Sequence, residues 1–531
     1  MNKLKTGLNL SDLTLGIELG STRIKGVIID QDNHTIASND FVWENEFHDG
    51  IWTYDLNDAW EGIQAVFSML KKKMQTKYGI ELNTIGAIGI SGMMHGYLPF
   101  DKKGHQIARF RTWRNTTTEE AAHELSELLQ FNIPHRWSVA HLYQAILNQE
   151  EHVENLDYLT TLSGYIHWKL TGKKVLGVGD ASGMFPIDSS IGDYNEEMSD
   201  QFNRLIQKHG YNWEFKEVFP KVLLAGEDAG ELTAEGAKLI DPTGTLQAGI
   251  PLCAPEGDAG TGMVATNSIL EQTGNVSAGT SIFSMIVLEK PLSDYYPEID
   301  IVTTPDGKDV AMVHCNNFTS DINAWTQLFK EVVDLLGFET KESELFEKLF
   351  KQALKADKDI GQLVHCNYYA GEPITDTNEG RPLFARMPDS DFNLANFMKS
   401  QIYSALATLK IGMDLLTEKE QVKISSIVGH GGFFKTEYVG QKLMADALEV
   451  PITLMSTAGE GGAWGIALLA QYHLRKASYE SLDIFLKKSV FKDIKGEELH
   501  PTIEGIADFK IYMKRYHAFL DVERKAIEVL I

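Results

Sequence analysis

Only three cysteines occur in 531 residues, Cys253, Cys315 and Cys366, far apart and with no CxxC pair, which excludes a disulfide framework and a cysteine zinc site. That scarcity fits a reducing compartment, so a cytoplasmic location is expected. No apolar run reaches the about 18 residues that a membrane helix needs, and the opening MNKLKTGLNLSD holds no apolar signal core. Neither export nor membrane insertion is expected. Basic residues are short as well: 49 Lys plus Arg stand against 74 Asp plus Glu, a net charge of −25. Such a field opposes binding by broad phosphate neutralisation, which argues against nucleic acid and anionic membrane as partners.

Phosphate-binding sequences of the usual kind are also missing. There is no G-x-x-x-x-G-K-[ST]. Gly177, Gly179 and Gly183 have the wrong spacing for a dinucleotide fingerprint and lead into Met184-Phe185-Pro186 instead of a helix. The neighbours His314-Cys315 and His365-Cys366 would point to opposite faces of a strand, so they do not suggest a shared metal.

What the chain does have is one short pattern twice, about half its length apart. Leu13 to Asp30 (LTLGIELGSTRIKGVIID) and Thr273 to Leu288 (TGNVSAGTSIFSMIVL) each read as strand, small-residue turn, strand. One copy is an ordinary hairpin. Two copies, one per half, suggest a polyphosphate held by two similarly built domains, because such turns gather backbone N–H groups and hydroxyls in one concavity. The hydrophobic fraction of 43% and charged fraction of 23% suit a folded α/β protein, and the length suits two large domains, divided as 1–265 and 266–531.

Helical spacing of Trp60, Ile63, Phe67 and Leu70 predicts a helix over 56–78, followed by a buried strand over 85–91 that ends in Gly92-Met93-Met94-His95-Gly96. Thr117-Thr118-Glu119-Glu120 reads as a capping box opening a helix to about 130, and a further helix is expected over 159–170. In the second half, helices are expected at 318–335, 341–356, 391–417 and 436–448, with strands at 424–428 and 452–455. Glu460-Gly461-Gly462-Ala463 opens a small-residue helix, and a long helix from about 506 closes the chain.

The candidate phosphate groups are Gly20, Ser21 and Thr22 with Lys25 behind them, and Gly279, Thr280 and Ser281. Glu18 ends its strand where a carboxylate can hold Mg²⁺; it is otherwise a solvated strand-end acid. Asp258 lies in Pro255-Glu256-Gly257-Asp258-Ala259-Gly260 after a buried run, either as a base that accepts a hydroxyl proton or as an Asx-turn acid. Met94 and His95 can line a sugar pocket, and Trp113, Arg114 and Asn115 set polar groups beside an aromatic ring. Gly431 and Gly432 offer bare backbone to an adenine ring, with Phe433 as a wall.

Taken in order, these segments resemble the FGGY carbohydrate kinases. The resemblance runs over 14–475 through LGIELGSTRIKGVIID, GISGMMHG, YIHWKLTG with GDASGMFPID, PEGDAG, SAGTSIF, GHGGFFKTEYVGQKLMADALEVPI and EGGAWGIALLA. It implies two RNase-H-like domains of the actin-like ATPase kind, with a nucleotide and sugar cleft between them. It further implies ATP and Mg²⁺ as cofactors and a small sugar as substrate, with a homodimer as one possible assembly. On this resemblance Asp258 falls on the general base and Glu18 where an aspartate near the metal is usual. Met94 and His95 match the sugar pocket of xylulose kinases. Three departures stand out: glutamate at 18, Trp113-Arg114-Asn115 in place of Trp-Asn-Asp, and Ala259 where Asn is usual. The expected activity is ATP-dependent phosphorylation of a ketopentose, xylulose or ribulose. The alternatives are gluconate or another polyol as substrate, or an actin-like ATPase or sugar sensor without kinase turnover.

Overall fold

A computed structural model describes residues 8–455, 461–476, 480–494 and 496–530. Glu460, expected at the start of a helix, lies outside the described residues. By contact the chain forms two compact units. The first holds the described residues up to Ile269 together with Ile301–Val310 and those between 461 and 494. The second holds Leu270–Asp300, the described residues from Ala311 to 455, and those from 496 onward. The helix Gly461–Arg475 therefore packs within the first unit, although the division by sequence order places it in the second half.

The first unit is built on a sheet in the order Glu256–Gly257, Ala87–Gly92, Thr14–Leu19, Arg23–Ile29, Thr35–Val42. The last three strands form an antiparallel meander, while Ala87–Gly92 runs parallel to Thr14–Leu19 and Glu256–Gly257 parallel to Ala87–Gly92. The expected helix is Leu56–Tyr78, started by Asp55, whose side chain accepts the Asn57 N–H at 2.8 Å, and ended by Gly79 at φ 69°. Its Ile63, Val66, Phe67 and Leu70 are buried in one core with Leu15, Ile17, Ile24 and Ile28 of the sheet. Each such side chain contributes about 1.5–3 kcal/mol through burial.

The second unit repeats that arrangement. Thr273–Ala278 and Ile282–Val287 pair antiparallel, Ser426–His430 lies parallel to Thr273–Ala278, and Ile452–Leu454 parallel to Ser426–His430. The duplicated sequence pattern is thus a duplicated topology, with each small-residue turn at the tip of its hairpin.

Two local expectations change. Residues Tyr158–Thr160 form a strand, and the helix after them starts only at Leu162, because the Thr161 side chain caps it by accepting the Gly164 N–H. The capping box expected over Thr117–Glu120 does not form: the helix Glu119–Leu129 follows Thr118, whose hydroxyl donates to the His135 carbonyl and makes no cap bond. No helix among the described residues is long and apolar enough to cross a membrane.

Candidate active site

At the tip of the first hairpin, the Gly20 N–H donates to the Arg23 carbonyl at 3.0 Å and closes the turn. The strand register sets Glu18 directly opposite Lys25, so a carboxylate and an ammonium stand behind the turn on neighbouring strands. The Ala463 N–H, at the start of Gly461–Arg475, donates to Glu18 Oε2 at 3.0 Å. Burial first, and then the charge of Asp258, raise the Glu18 carboxyl to about 7, against the pull of the Ala463 N–H and Lys25. The Glu18 carboxylate, which feels the charge of Asp258, offers oxygen ligands of the kind a hard divalent cation takes.

Asp258 is the first residue of the helix Asp258–Ala265, immediately after the edge strand Glu256–Gly257. A helix N-terminus favours its negative form. The Met94 N–H, from the segment after Ala87–Gly92, donates to Asp258 Oδ1 at 3.2 Å. Desolvation outweighs these backbone contacts and pushes the carboxyl up to about 6. Asp258 is thus ionised at neutral pH, yet more basic than an exposed aspartate.

Two further acids lie behind it, and sequence reasoning did not single them out. Glu256 is buried and accepts the Asp180 N–H at 2.9 Å and the Gly179 N–H at 3.4 Å. Asp180 is buried in turn, and its Oδ2 accepts the hydroxyls of Thr161, at 2.7 Å, and Ser163. These bonds tie the strand bearing Asp258 to the segment Val178–Ala181 and to the start of Leu162–Thr171. The available signal was Glu256 itself, an acid directly after the apolar run Ile250 to Ala254, where burial demands partners.

Burial drives Asp180 up to about 7 and Glu256 up to about 8. A carboxyl whose folded value exceeds its unfolded one binds its proton more tightly in the native state. Its ionisation therefore costs stability progressively as pH rises from about 4 to 8. Asp180→Asn removes that cost while keeping an acceptor for the two hydroxyls. Its thermal midpoint relative to wild type should accordingly rise by several degrees between pH 5 and pH 8, as calorimetry at both pH values will read. A difference independent of pH would show that Asp180 does not titrate in this range.

The sugar-side residues divide into two groups. Met94 and His95 are buried beside Asp258, with His95 at φ 68° and its Nδ1 donating to the Gly183 carbonyl at 3.1 Å. The Trp137 ring stacks on His95 with centroids 6.3 Å apart. Arg114 is exposed and lies over the Trp52 ring, 4.1 Å from its centroid, with Nη1 donating to Asn45 Oδ1 at 3.2 Å. Asn115 is held by the backbone around it. Its amide donates to the Trp52 carbonyl at 2.8 Å and the Thr112 carbonyl at 2.9 Å, and accepts the Trp52 N–H at 2.9 Å. At 3% exposure it fastens the turn to the strand Ile51–Thr53.

In the second unit, the Gly279 N–H donates to the Ser281 carbonyl at 3.0 Å and shapes the second turn, which carries Thr280. Gly431 has φ 109°, and a Cβ there would lie 2.3 Å from the Ala278 carbonyl oxygen, so only glycine brings the end of Ser426–His430 against this turn. Gly432 beside it has open space where a side chain would stand. Phe433 follows these glycines into the body of the unit. It is 1% exposed and packs between Phe318, Phe350 and Phe434, because the helical turn Gly432–Lys435 directs it inward.

Family models match nearly the whole chain: the N-terminal domain of the FGGY family of carbohydrate kinases over residues 13–265, and its C-terminal domain over 274–474. A xylulose kinase of Haemophilus influenzae is 22% identical over 514 residues, covering 94% of this chain and 98% of that protein. Among solved structures, a ligand-bound xylulose kinase from Lactobacillus acidophilus aligns with TM-score 0.79 at 17% identity, over 96% of this chain and 98% of that one. A gluconate kinase from Lactobacillus acidophilus aligns with TM-score 0.78, also at 17% identity and the same coverage. These likenesses place the mixed α/β chain among sugar kinases of the actin-like ATPase fold.

Proposed function

Because the chain belongs to the FGGY family of carbohydrate kinases, we propose that it phosphorylates a ketopentose, xylulose or ribulose, with ATP as the phosphate donor. The observation that carries the reading is Asp258, a half-buried carboxylate at a helix N-terminus, fixed by the Met94 N–H and poised near pH 6. The relatedness to xylulose kinase along 94% of the chain supports a ketopentose over other sugars.

In this reading Asp258 accepts the proton of a sugar hydroxyl as that oxygen forms its bond to the γ-phosphorus. The bond from the γ-phosphorus to the β,γ-bridging oxygen breaks, and ADP departs with the electron pair. The turns at Gly20-Ser21-Thr22 and Gly279-Thr280-Ser281 meet the phosphate oxygens with N–H groups and hydroxyls, and Lys25 adds a positive charge behind the first. Glu18 would hold Mg²⁺, which supplies neutralisation of the phosphate charge. Met94 and His95 bound the sugar, Arg114 lies at its outer margin, and Gly431 and Gly432 border the nucleoside. Residues 1–265 then carry the sugar and the base and 266–531 the nucleotide, in a cytoplasmic enzyme whose three cysteines are free and buried.

The test is ADP release with Mg-ATP against D- and L-xylulose, D- and L-ribulose, gluconate, glycerol and the common hexuloses. One ketopentose should stimulate turnover well above the sugar-free rate. Stimulation by gluconate alone would replace the substrate class, and a flat panel would remove the proposed activity.

A further inference from the structure

A turn that binds phosphate must do two things: present N–H groups to the anion and keep its carbonyl oxygens away from it. The second requirement is met in both units, by unrelated side chains. In the first turn, the Gly20 carbonyl accepts Trp43 Nε1–H at 2.7 Å, the Ser21 carbonyl accepts the Tyr54 hydroxyl at 2.6 Å, and the Thr22 carbonyl accepts the Trp43 backbone N–H at 3.2 Å. All three carbonyls are therefore engaged. The N–H groups of Ser21 and Thr22 donate to no acceptor among the described residues.

Trp43 and Tyr54 are themselves fixed. Both are buried, at 5% and 3% exposure, and their rings stack with centroids 4.3 Å apart. They come from separate strands or strand ends, one just after Thr35–Val42 and one just after Ile51–Thr53, so the contact is built by the fold and not by the turn itself.

In the second turn a single residue does the same work. The Gly279 carbonyl accepts the Thr319 hydroxyl at 2.7 Å, and the Thr280 carbonyl accepts the Thr319 N–H at 3.3 Å. The remaining carbonyl, that of Ser281, accepts the Gly279 N–H. Thr319 is the residue before the helix Ser320–Leu335, and its hydroxyl makes no capping bond to that helix. Its oxygen is directed to the turn.

We infer that Trp43, Tyr54 and Thr319 are positioning residues for nucleotide binding, setting the polarity of the two turns by holding their carbonyls away from the phosphates. The inference rests on both turns being phosphate sites, as proposed above. None of the three side chains touches the nucleotide; each acts through the backbone it holds. Removing one donor frees a carbonyl to rotate toward the anion, which weakens phosphate binding without altering the sugar pocket.

The experiment is calorimetric binding of ADP, with no sugar present, to the wild type and to Tyr54→Phe, Trp43→Phe, Thr319→Val and Thr319→Ser. Thr319→Val deletes a single hydrogen bond, and Tyr54→Phe deletes the bond to the Ser21 carbonyl together with the 3.5 Å bond accepted from Asn45 Nδ2; the expected weakening is about threefold to tenfold in Kd, the usual range for one neutral bond. KM for ATP should rise in step, with KM for the sugar and the thermal midpoint unchanged in Thr319→Val, and Thr319→Ser should restore wild-type binding. ADP affinity within twofold of wild type in both Tyr54→Phe and Thr319→Val overturns the inference. So does a loss shared equally by sugar KM and thermal midpoint, which would mark a general loosening. Wild-type protein that binds ADP but turns over no sugar would sink the proposed activity and leave this inference standing on its binding data.

Discussion

Asp258→Asn should lower kcat by about 10²–10⁴-fold, the range that a positioned base contributes, while ADP binds as tightly as to the wild type. The substitution isolates the proton-accepting role because it changes little else. An asparagine oxygen can still accept the Met94 N–H that holds Asp258 Oδ1, and a neutral side chain suffers less from burial than the carboxylate does. A variant within tenfold of wild type would remove Asp258 from the role of base. The wild-type pH profile gives the same assignment independently. Burial raises this carboxyl to about 6, and only its ionised form accepts a proton. kcat/KM should therefore fall at least about tenfold per pH unit below that value. A profile flat to pH 5 would place the controlling ionisation elsewhere.

The parts of the site legible in the sequence are those made by local chain geometry. A hairpin with a short turn fixes Glu18 opposite Lys25 as soon as the register is known, and the order of small residues marks both turns. Asp258 was visible for a similar reason, as a carboxylate between glycines at the end of a buried run. What was not legible depends on segments remote in sequence. The packing of Phe433 against Phe318 and Phe350 is one such contact. Another is the hold of the Asn115 amide on the backbone of Trp52, 63 positions away. Trp43 and Tyr54 carry no motif at all, because a donor aimed at a carbonyl leaves no residue pattern beyond one aromatic in a strand-rich stretch. Asp180 was read only as part of GDASGMFPID, and nothing in that run reveals that Glu256 takes its N–H.

The same limit explains the return of Gly461–Arg475 to the first unit, and it yields the prediction with the largest expected loss of stability. This helix packs on the strand Thr14–Leu19 and on the helix Asp258–Ala265 at backbone distance. A Cβ built on Gly465 would lie 2.0 Å from the Thr261 carbonyl oxygen and 2.8 Å from its carbon, with no flexible side chain to yield. Gly465→Ala must therefore separate two helices, one bearing Asp258 and the other supplying the Ala463 N–H to Glu18. We expect a loss of about 3 kcal/mol or more, at the upper end for overpacking, with kcat falling in the fraction that remains folded. Gly262→Ala is the matched control. It lies within Asp258–Ala265, where a Cβ would meet nothing within 4 Å, so the gain in helix propensity should leave stability unchanged or higher by up to about 1 kcal/mol. Thermal midpoints of the two variants decide the matter. A Gly465→Ala protein melting within about 2 °C of wild type would mean that the helices can part without cost, and that the carboxylates at 18 and 258 are not held in place by this packing.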